Sequence, residues 1–228
     1  MPSCPRVGVV LDVDGTLIDS NDSHAEAWSE SFKANGYDIE PGTVRPLMGM
    51  GGDKILPKVI GVESDSISGR LVSDHRLAVF MRNHLPLLRP TRGARRLVEL
   101  LLERGHPIAV ASSAGEEEIL GLLRVAGVHE LIPKEAIVTK DETGRSKPDP
   151  DTIAVALERL GCPADSVVMI GDTPYDIEAA ARVGLRTIAF RSGGFSEQDL
   201  ADALAIFDDP QDLVDRYETS PLATSSSG

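Results

Sequence analysis

Short apolar runs rich in β-branched residues recur along this chain at 7–11, 107–111, 137–138, 167–170 and 187–190. A strand with one face in water alternates polar and apolar residues, whereas these runs are apolar throughout, as strands buried on both faces are. Patterns of helical period lie between most of them, at 93–104, 116–125, 152–160 and 175–183, and in the first of these Leu97, Leu100 and Leu101 share one face. Alternation of strand and helix dictates an α/β fold, a Rossmann-like parallel sheet core with helices on both sides.

Residues 20–89 break the alternation. They contain no convincing strand and read as successive helices, the first over 23–35, opened by a capping box of Ser23 and Glu26 and closed near Gly36. Further helices are expected at 53–60 and 66–85. About 70 residues is too long for a loop, so the segment is expected to be a second, all-helical domain inserted into a discontinuous core of residues 1–19 and 90–218. Residues 219–228, mostly serine and threonine, are expected to form a disordered tail.

The 228 residues are 41% hydrophobic, which is ordinary for a packed protein, and carry a formal charge of −13. Nucleic-acid binding needs a basic patch, so that class is excluded. No run approaches the roughly 20 apolar residues that cross a bilayer, and the first six residues have no signal-peptide pattern, so a cytoplasmic location and no membrane partner are expected. Cys4 and Cys162 are too few for a disulfide framework or a thiolate metal cluster and are expected to be free thiols. An acidic chain that takes an anionic substrate must supply positive charge locally, through a metal, a lysine or backbone N–H groups.

Four motifs meet that requirement. The first apolar run ends in Asp12-Val13-Asp14-Gly15-Thr16, which sends two carboxylates off the end of a buried strand. The run at 167–170 ends in Gly171-Asp172-Thr173-Pro174-Tyr175-Asp176, where Thr173 suits an N-cap and Pro174 the first helical position. Asp172 then sits at a strand tip and Asp176 in the first helical turn. Together with Asp12 and Asp14 they compose an oxygen-rich site suited to Mg²⁺. The run at 107–111 ends in Ser112-Ser113-Ala114-Gly115 ahead of a helix, a ready anion site. Last, Ser146-Lys147-Pro148-Asp149-Pro150 presents Lys147 between extended prolines.

Taken in this order over residues 7–190, these motifs resemble the haloacid dehalogenase superfamily, in its phosphoglycolate phosphatase and β-phosphoglucomutase-like group with a helical cap. The resemblance implies a phosphomonoester hydrolase acting on a small phosphorylated metabolite through an aspartyl phosphate. Asp12 would be the nucleophile and Asp14 the general acid and base. Ser112 and Lys147, with Ser113 beside them, would hold the phosphate. Asp12, Asp14 (by its backbone oxygen) and Asp172 would bind Mg²⁺, Asp176 would support them, and residues 20–89 would be the cap.

Other features are weaker. Gly49-Met50-Gly51-Gly52-Asp53-Lys54 fits neither a nucleotide-binding fingerprint nor a Walker sequence, and reads as a cap loop over the substrate or a plain connection. His24, ten residues after Asp14, is a candidate substrate contact, because sugar-phosphate mutases and some sugar phosphatases of the superfamily carry a histidine near this point. Arg45 and Lys54 are candidates for an anionic substrate group. Two other readings stay open: a phosphoglucomutase-like isomerase, although mutases usually have a Glu-Asp-Ser form where this chain has Gly171-Asp172-Thr173, and a non-catalytic binding protein on the same fold. The state, monomer or homodimer, is open.

Overall fold

The structure is a computed structural model that describes residues 4 and 6–223. Among these, β1 (Gly8–Leu11), β4 (Ile108–Ala111), β5 (Ile137–Val138), β6 (Val167–Gly171), β7 (Arg186–Phe190) and β8 (Ala205–Phe207) form one parallel sheet in the order β5-β4-β1-β6-β7-β8. β2 (Ile18–Asp19) and β3 (Arg89–Pro90) form a separate antiparallel pair. Helices α5 (Ala94–Glu103), α6 (Glu116–Val125), α7 (Lys140–Thr143), α8 (Asp151–Leu160), α9 (Pro174–Arg182) and α10 (Pro210–Asp215) complete the core.

β1 is central and wholly buried, and its alternate residues divide between two layers. Val9 and Leu11 join Leu97, Leu101, Ile119 and Leu122 in one cluster, and Val10 joins Ile153, Ala156, Ala179 and Ala180 in the other. This is the two-sided burial that an unbroken apolar run requires. Every strand of the sheet points the same way, so β1, β4 and β6 end at one edge and deliver their motifs there.

Between β2 and β3 the chain forms α1 (Asn21–Ala34), α2 (Pro41–Val44), α3 (Gly52–Ile60) and α4 (Ile67–Val79). They have an apolar cluster of their own, with Trp28, Phe32, Val44, Ile55, Leu56 and Val72. The two-residue pairing of Ile18 with Pro90 and Asp19 with Arg89 closes the insertion at its base.

Several expectations are corrected. The helix expected from Ser23 starts at Asn21, and the capping box does not form: Ser20 stands at the N-cap without a side-chain cap bond, because its hydroxyl donates to Asp14. The helix expected over 66–85 is capped by Ser66 but ends at Val79, passing into a π-turn at Phe80–His84 and a 3₁₀ turn at Leu85–Leu87 that holds Pro86. β8, too short at three residues to stand out, is an unanticipated edge strand. Residues 219–223 are not a tail with nothing to bury, since Ser220 and Leu222 are 2% and 1% exposed and Leu222 lies in the main core; residues 224–228 lie outside the described ones. Cys4 and Cys162 are not free thiols but a disulfide, with Cα atoms 5.4 Å apart. The β1–β6 register explains it: Gly8 lies beside Val167, so the segments leading into these strands run side by side. No described helix is long and apolar enough to cross a membrane.

Two neighbouring leucines of α5 test this packing. Leu101 is fully buried and Leu102 is 42% exposed. Leu101→Ala should cost about 2–5 kcal/mol by urea unfolding, and Leu102→Ala should stay within about 0.5 kcal/mol of the parent; equal losses would contradict the assignment of the buried face.

Candidate active site

At the carboxyl edge of the sheet the four motifs converge. Lys147 is fully buried, and its Nζ lies 2.5 Å from Asp12 Oδ1 and 2.7 Å from Asp176 Oδ1. Burial disfavours its charge, but the two carboxylates more than offset this and hold the ammonium above its usual range. Asp176 is itself pinned. Its Oδ2 accepts from Asp172 N at 3.3 Å, Thr173 N at 3.1 Å and Thr173 Oγ1 at 2.7 Å, which completes a capping box at the start of α9. Asp176 thereby orients the lysine.

Asp172 is also fully buried, with Oδ2 accepting from Asn21 Nδ2 at 2.8 Å and Oδ1 lying 3.1 Å from Thr16 Oγ1. The same hydroxyl lies 3.1 Å from Asp12 Oδ2, and its one proton serves one carboxylate at a time. Burial, then the charges of Asp12 and Asp176, push the Asp172 carboxyl well above its ordinary value. Burial likewise pushes Asp12 up, to about 7, with Asp176 and Asp14 adding to the rise and Lys147 opposing it. Two glycines make the close packing feasible. A Cβ at Gly15, whose φ is +74°, would lie 2.1 Å from Asp172 Oδ2, and one at Gly193 would lie 1.8 Å from the same oxygen.

Oxygen atoms of Asp12, Asp172 and Asp176 lie within 4.8 Å of one another. Three buried carboxylates with one lysine leave negative charge uncompensated, and the donors are all hard oxygens, so the residues fit a hard divalent cation. The Asp14 carboxylate lies outside this group. It accepts from Ser20 Oγ at 2.6 Å and meets His24 Nε2 at 2.6 Å. Burial works against its charge, but His24 and Ser20 outweigh it and hold the carboxyl below the usual range.

The remaining expected residues are placed as follows. Ser112 is buried, its Oγ accepting from Ala114 N at 3.0 Å, and Ser113 Oγ donates to Gly49 O at 2.8 Å. His24 is 5% exposed and stacked on Phe80, with ring centroids 4.0 Å apart. Its Nδ1 lies 2.7 Å from Arg76 Nη2, which can only donate, so Nδ1 accepts and Nε2 carries the proton toward Asp14. Both ring nitrogens are thus engaged within the protein. Arg45 and Lys54 do not line the cavity beside Asp12: Arg45 pairs with Asp22 and donates to Gly193 O, while Lys54 lies 2.6 Å from Asp149. The glycine-rich segment sits over the core, Gly51 N donating to Ser146 Oγ at 2.9 Å.

That cavity, of about 320 Å³, is lined by Asp12 and Asp14 from the core and by Trp28, Met48 and residues 49–52 from the insertion. Four residues, Arg76, Glu118, Asn21 and Thr16, escaped sequence reasoning. Arg76 spans the insertion and the core, with Nη1 2.7 Å from Glu118 Oε2. Asn21 reaches Asp172 from 151 positions away, and Thr16 touches two motifs at once. Thr16 had a local signal, following Asp-Gly at a strand tip; Arg76, Glu118 and Asn21 had none.

The Asp12 carboxyl, at about 7 against the ordinary 3.8, holds more protons folded than unfolded across that window. Its contribution to stability therefore falls as pH rises from about 4 to about 7. In chelator-treated protein, Asp12→Asn should gain melting temperature relative to the parent between pH 5 and pH 8. Parallel pH dependence of the two would refute the burial argument.

The comparisons with known proteins agree with this geometry. The family described as Haloacid dehalogenase-like hydrolase matches residues 9–190. A phosphoglycolate phosphatase of Aquifex aeolicus (strain VF5) is 32% identical over 183 residues, covering 78% of this chain and 82% of that protein. A second phosphoglycolate phosphatase, from Rhodospirillum rubrum, is 27% identical and covers 91% of this chain and 89% of that one. The solved structure of a hydrolase from Pseudomonas syringae superposes with a TM-score of 0.85 at 28% identity, covering 94% of this chain and 99% of that chain. With its strand-tip carboxylates, its buried lysine and a family match over most of its length, this chain belongs to the haloacid dehalogenase-like hydrolases.

Proposed function

We propose that this protein is a Mg²⁺-dependent phosphomonoester hydrolase that works on a small phosphorylated metabolite through an aspartyl phosphate on Asp12. The observation that carries the reading is the contact of Lys147 with both Asp12 and Asp176 beside Asp172. It gathers a carboxylate nucleophile, a fixed cation and a hard-metal donor set at one strand edge, where ligands of open α/β sheets bind. The phosphatases among its relatives support the reaction class.

Lys147 keeps Asp12 available as an ionised nucleophile against burial, and the same ammonium neutralises charge on the transferring phosphoryl group. When held by Asp12, Asp172 and the main-chain oxygen of Asp14, the ion supplies further positive charge to the phosphoryl oxygens. Ser112 and Ser113 stand at the N-terminal approach to α6, where hydroxyls and N–H groups suit an anion. In the first half-reaction the P–O bond to the alkoxide breaks as the bond from Asp12 to phosphorus forms, and the leaving oxygen takes a proton from Asp14. In the second, Asp14 takes a proton from water as that water attacks phosphorus and frees Asp12.

Asp14 bonded to His24 and Ser20 is in the base form, so delivering a proton requires it to leave these partners when substrate enters. The insertion of residues 20–89 acts in this reading as a cap that encloses the ester and excludes bulk water.

Asp12→Asn should abolish phosphate release from p-nitrophenyl phosphate with the fold intact, and Asp14→Asn should lower it by about 10²–10⁴-fold. Substantial turnover by the Asp12 variant would defeat the mechanism. In the parent protein, chelation should remove activity and Mg²⁺ restore it without any bisphosphate activator. Phosphoglucomutase-like isomerisation of β-glucose 1-phosphate that outran phosphate release would favour the mutase reading instead.

A further inference from the structure

The cavity beside Asp12 must accommodate whatever the phosphate is attached to, and its walls carry an uneven charge. Away from the phosphate site it is lined by Asp74 of α4, by Glu116, Glu117 and Glu118 of α6, and by Lys140 and Asp141. Arg76 also lines it, but its charge is already committed, to Glu118 at 2.7 Å, and the guanidinium stacks over Trp28, with its Cζ 5.4 Å from the ring centroid. Glu116 is paired with Lys134 on the protein surface at 2.6 Å.

That leaves Asp74, Glu117 and Asp141 against Lys140, none of these acids having a cation within 4.0 Å among the described residues, with one oxygen of Asp141 accepting from Glu116 N at 2.9 Å. The two cations that could have balanced the wall, Arg45 and Lys54, are paired elsewhere and do not reach the cavity. The uncharged part of the wall sets Trp28, Met48, Met50 and Leu77 beside polar Asn21, Ser73 and Ser113.

A phosphate monoester brings its own negative charge, which Lys147 and the cation site at Asp12 and Asp172 receive. A second anion on the leaving group would face the carboxylate wall with one lysine to meet it, and because Asp74, Glu117 and Asp141 are exposed this repulsion is strongest at low ionic strength. A neutral polyol meets no such repulsion. Its hydroxyls can donate to the wall carboxylates, and its C–H faces can lie on the indole of Trp28.

We infer that the substrate is the monophosphate ester of an uncharged polyol, and that Asp74, Glu117 and Asp141 select against leaving groups that carry a carboxylate or a second phosphate. This rests on the phosphatase reading above and adds to it the chemical class of the leaving group. It also separates this chain from the substrate named for its phosphoglycolate phosphatase relatives, in which the leaving group carries a carboxylate.

The test uses the full chain with Mg²⁺ and a matched pair of esters, sorbitol 6-phosphate and 6-phosphogluconate, which differ in a terminal CH₂OH against a carboxylate. At low ionic strength kcat/KM should favour sorbitol 6-phosphate by about tenfold or more, and the ratio should shrink as salt is added. The exposed positions Glu117 and Asp74 allow charge reversal without disturbing the core: Glu117→Lys, and independently Asp74→Lys, should each shift the ratio toward 6-phosphogluconate by about threefold or more. A ratio near unity or inverted in the parent, with p-nitrophenyl phosphate turned over, overturns the inference and leaves the phosphatase reading standing; so does a ratio unmoved by both reversals. Failure to release phosphate from p-nitrophenyl phosphate and from both sugar esters overturns the phosphatase reading and the inference with it.

Discussion

A lysine ammonium stripped of water is costly to bury, and the buried charge of Lys147 is tolerable because Asp12 and Asp176 both reach it. That need ties three distant parts of the chain to one point: the tip of β1, the segment ahead of α8 and the first turn of α9. Asp176 can serve because three donors of the β6–α9 turn fix its other oxygen. Asp172 is then left beside two like charges with Asn21 and Thr16 as its hydrogen-bonding partners. The negative charge still uncompensated is what suits the place to a cation and to a phosphoryl group.

The inserted helices are fastened to each of the four motifs. Ser20 and His24 hold Asp14, Asn21 donates to Asp172, Gly49 O accepts from Ser113, and Gly51 N donates to Ser146. The insertion leaves the core through a two-residue pairing, so these polar contacts, with the Arg76–Glu118 ion pair and the stacking of His24 on Phe80, set where it sits. The shape of the cavity and the charge of its wall follow from that seating. His24 illustrates the point: it lines the cavity, yet its two nitrogens serve Asp14 and Arg76. In the proposed reaction any change in the seat of the insertion would change what Asp14 touches.

The sequence by itself determined the parallel sheet and the carboxylates at its edge, because both are local. Burial on two faces requires an unbroken apolar run, and the end of such a run marks where Asp12, Ser112 and Asp172 leave the sheet. The start of α9 was equally legible, since Thr173, Pro174 and Asp176 form its capping turn within four positions. Short elements and caps were not: β8 has three residues, and Ser23 and Glu26 mimic a cap that Ser20 pre-empts.

Only the tertiary structure decided the pairings between residues far apart in the chain. Cys4 meets Cys162 because two parallel strands bring their leading segments together. Arg76 of α4 reaches across to Glu118 of α6, and Arg45 and Lys54 turn to Asp22 and Asp149 rather than to the cavity. Leu222 lies in the core although the stretch around it, residues 219–228, is mostly serine and threonine. Local spacing carries no distance across separations of 42 or 158 residues, so periodicity can say that a side chain is charged or apolar but not which partner it will meet. The reaction class is therefore written in strand ends and short motifs, and the charge that meets the rest of the substrate is decided by how one group of helices sits on the sheet.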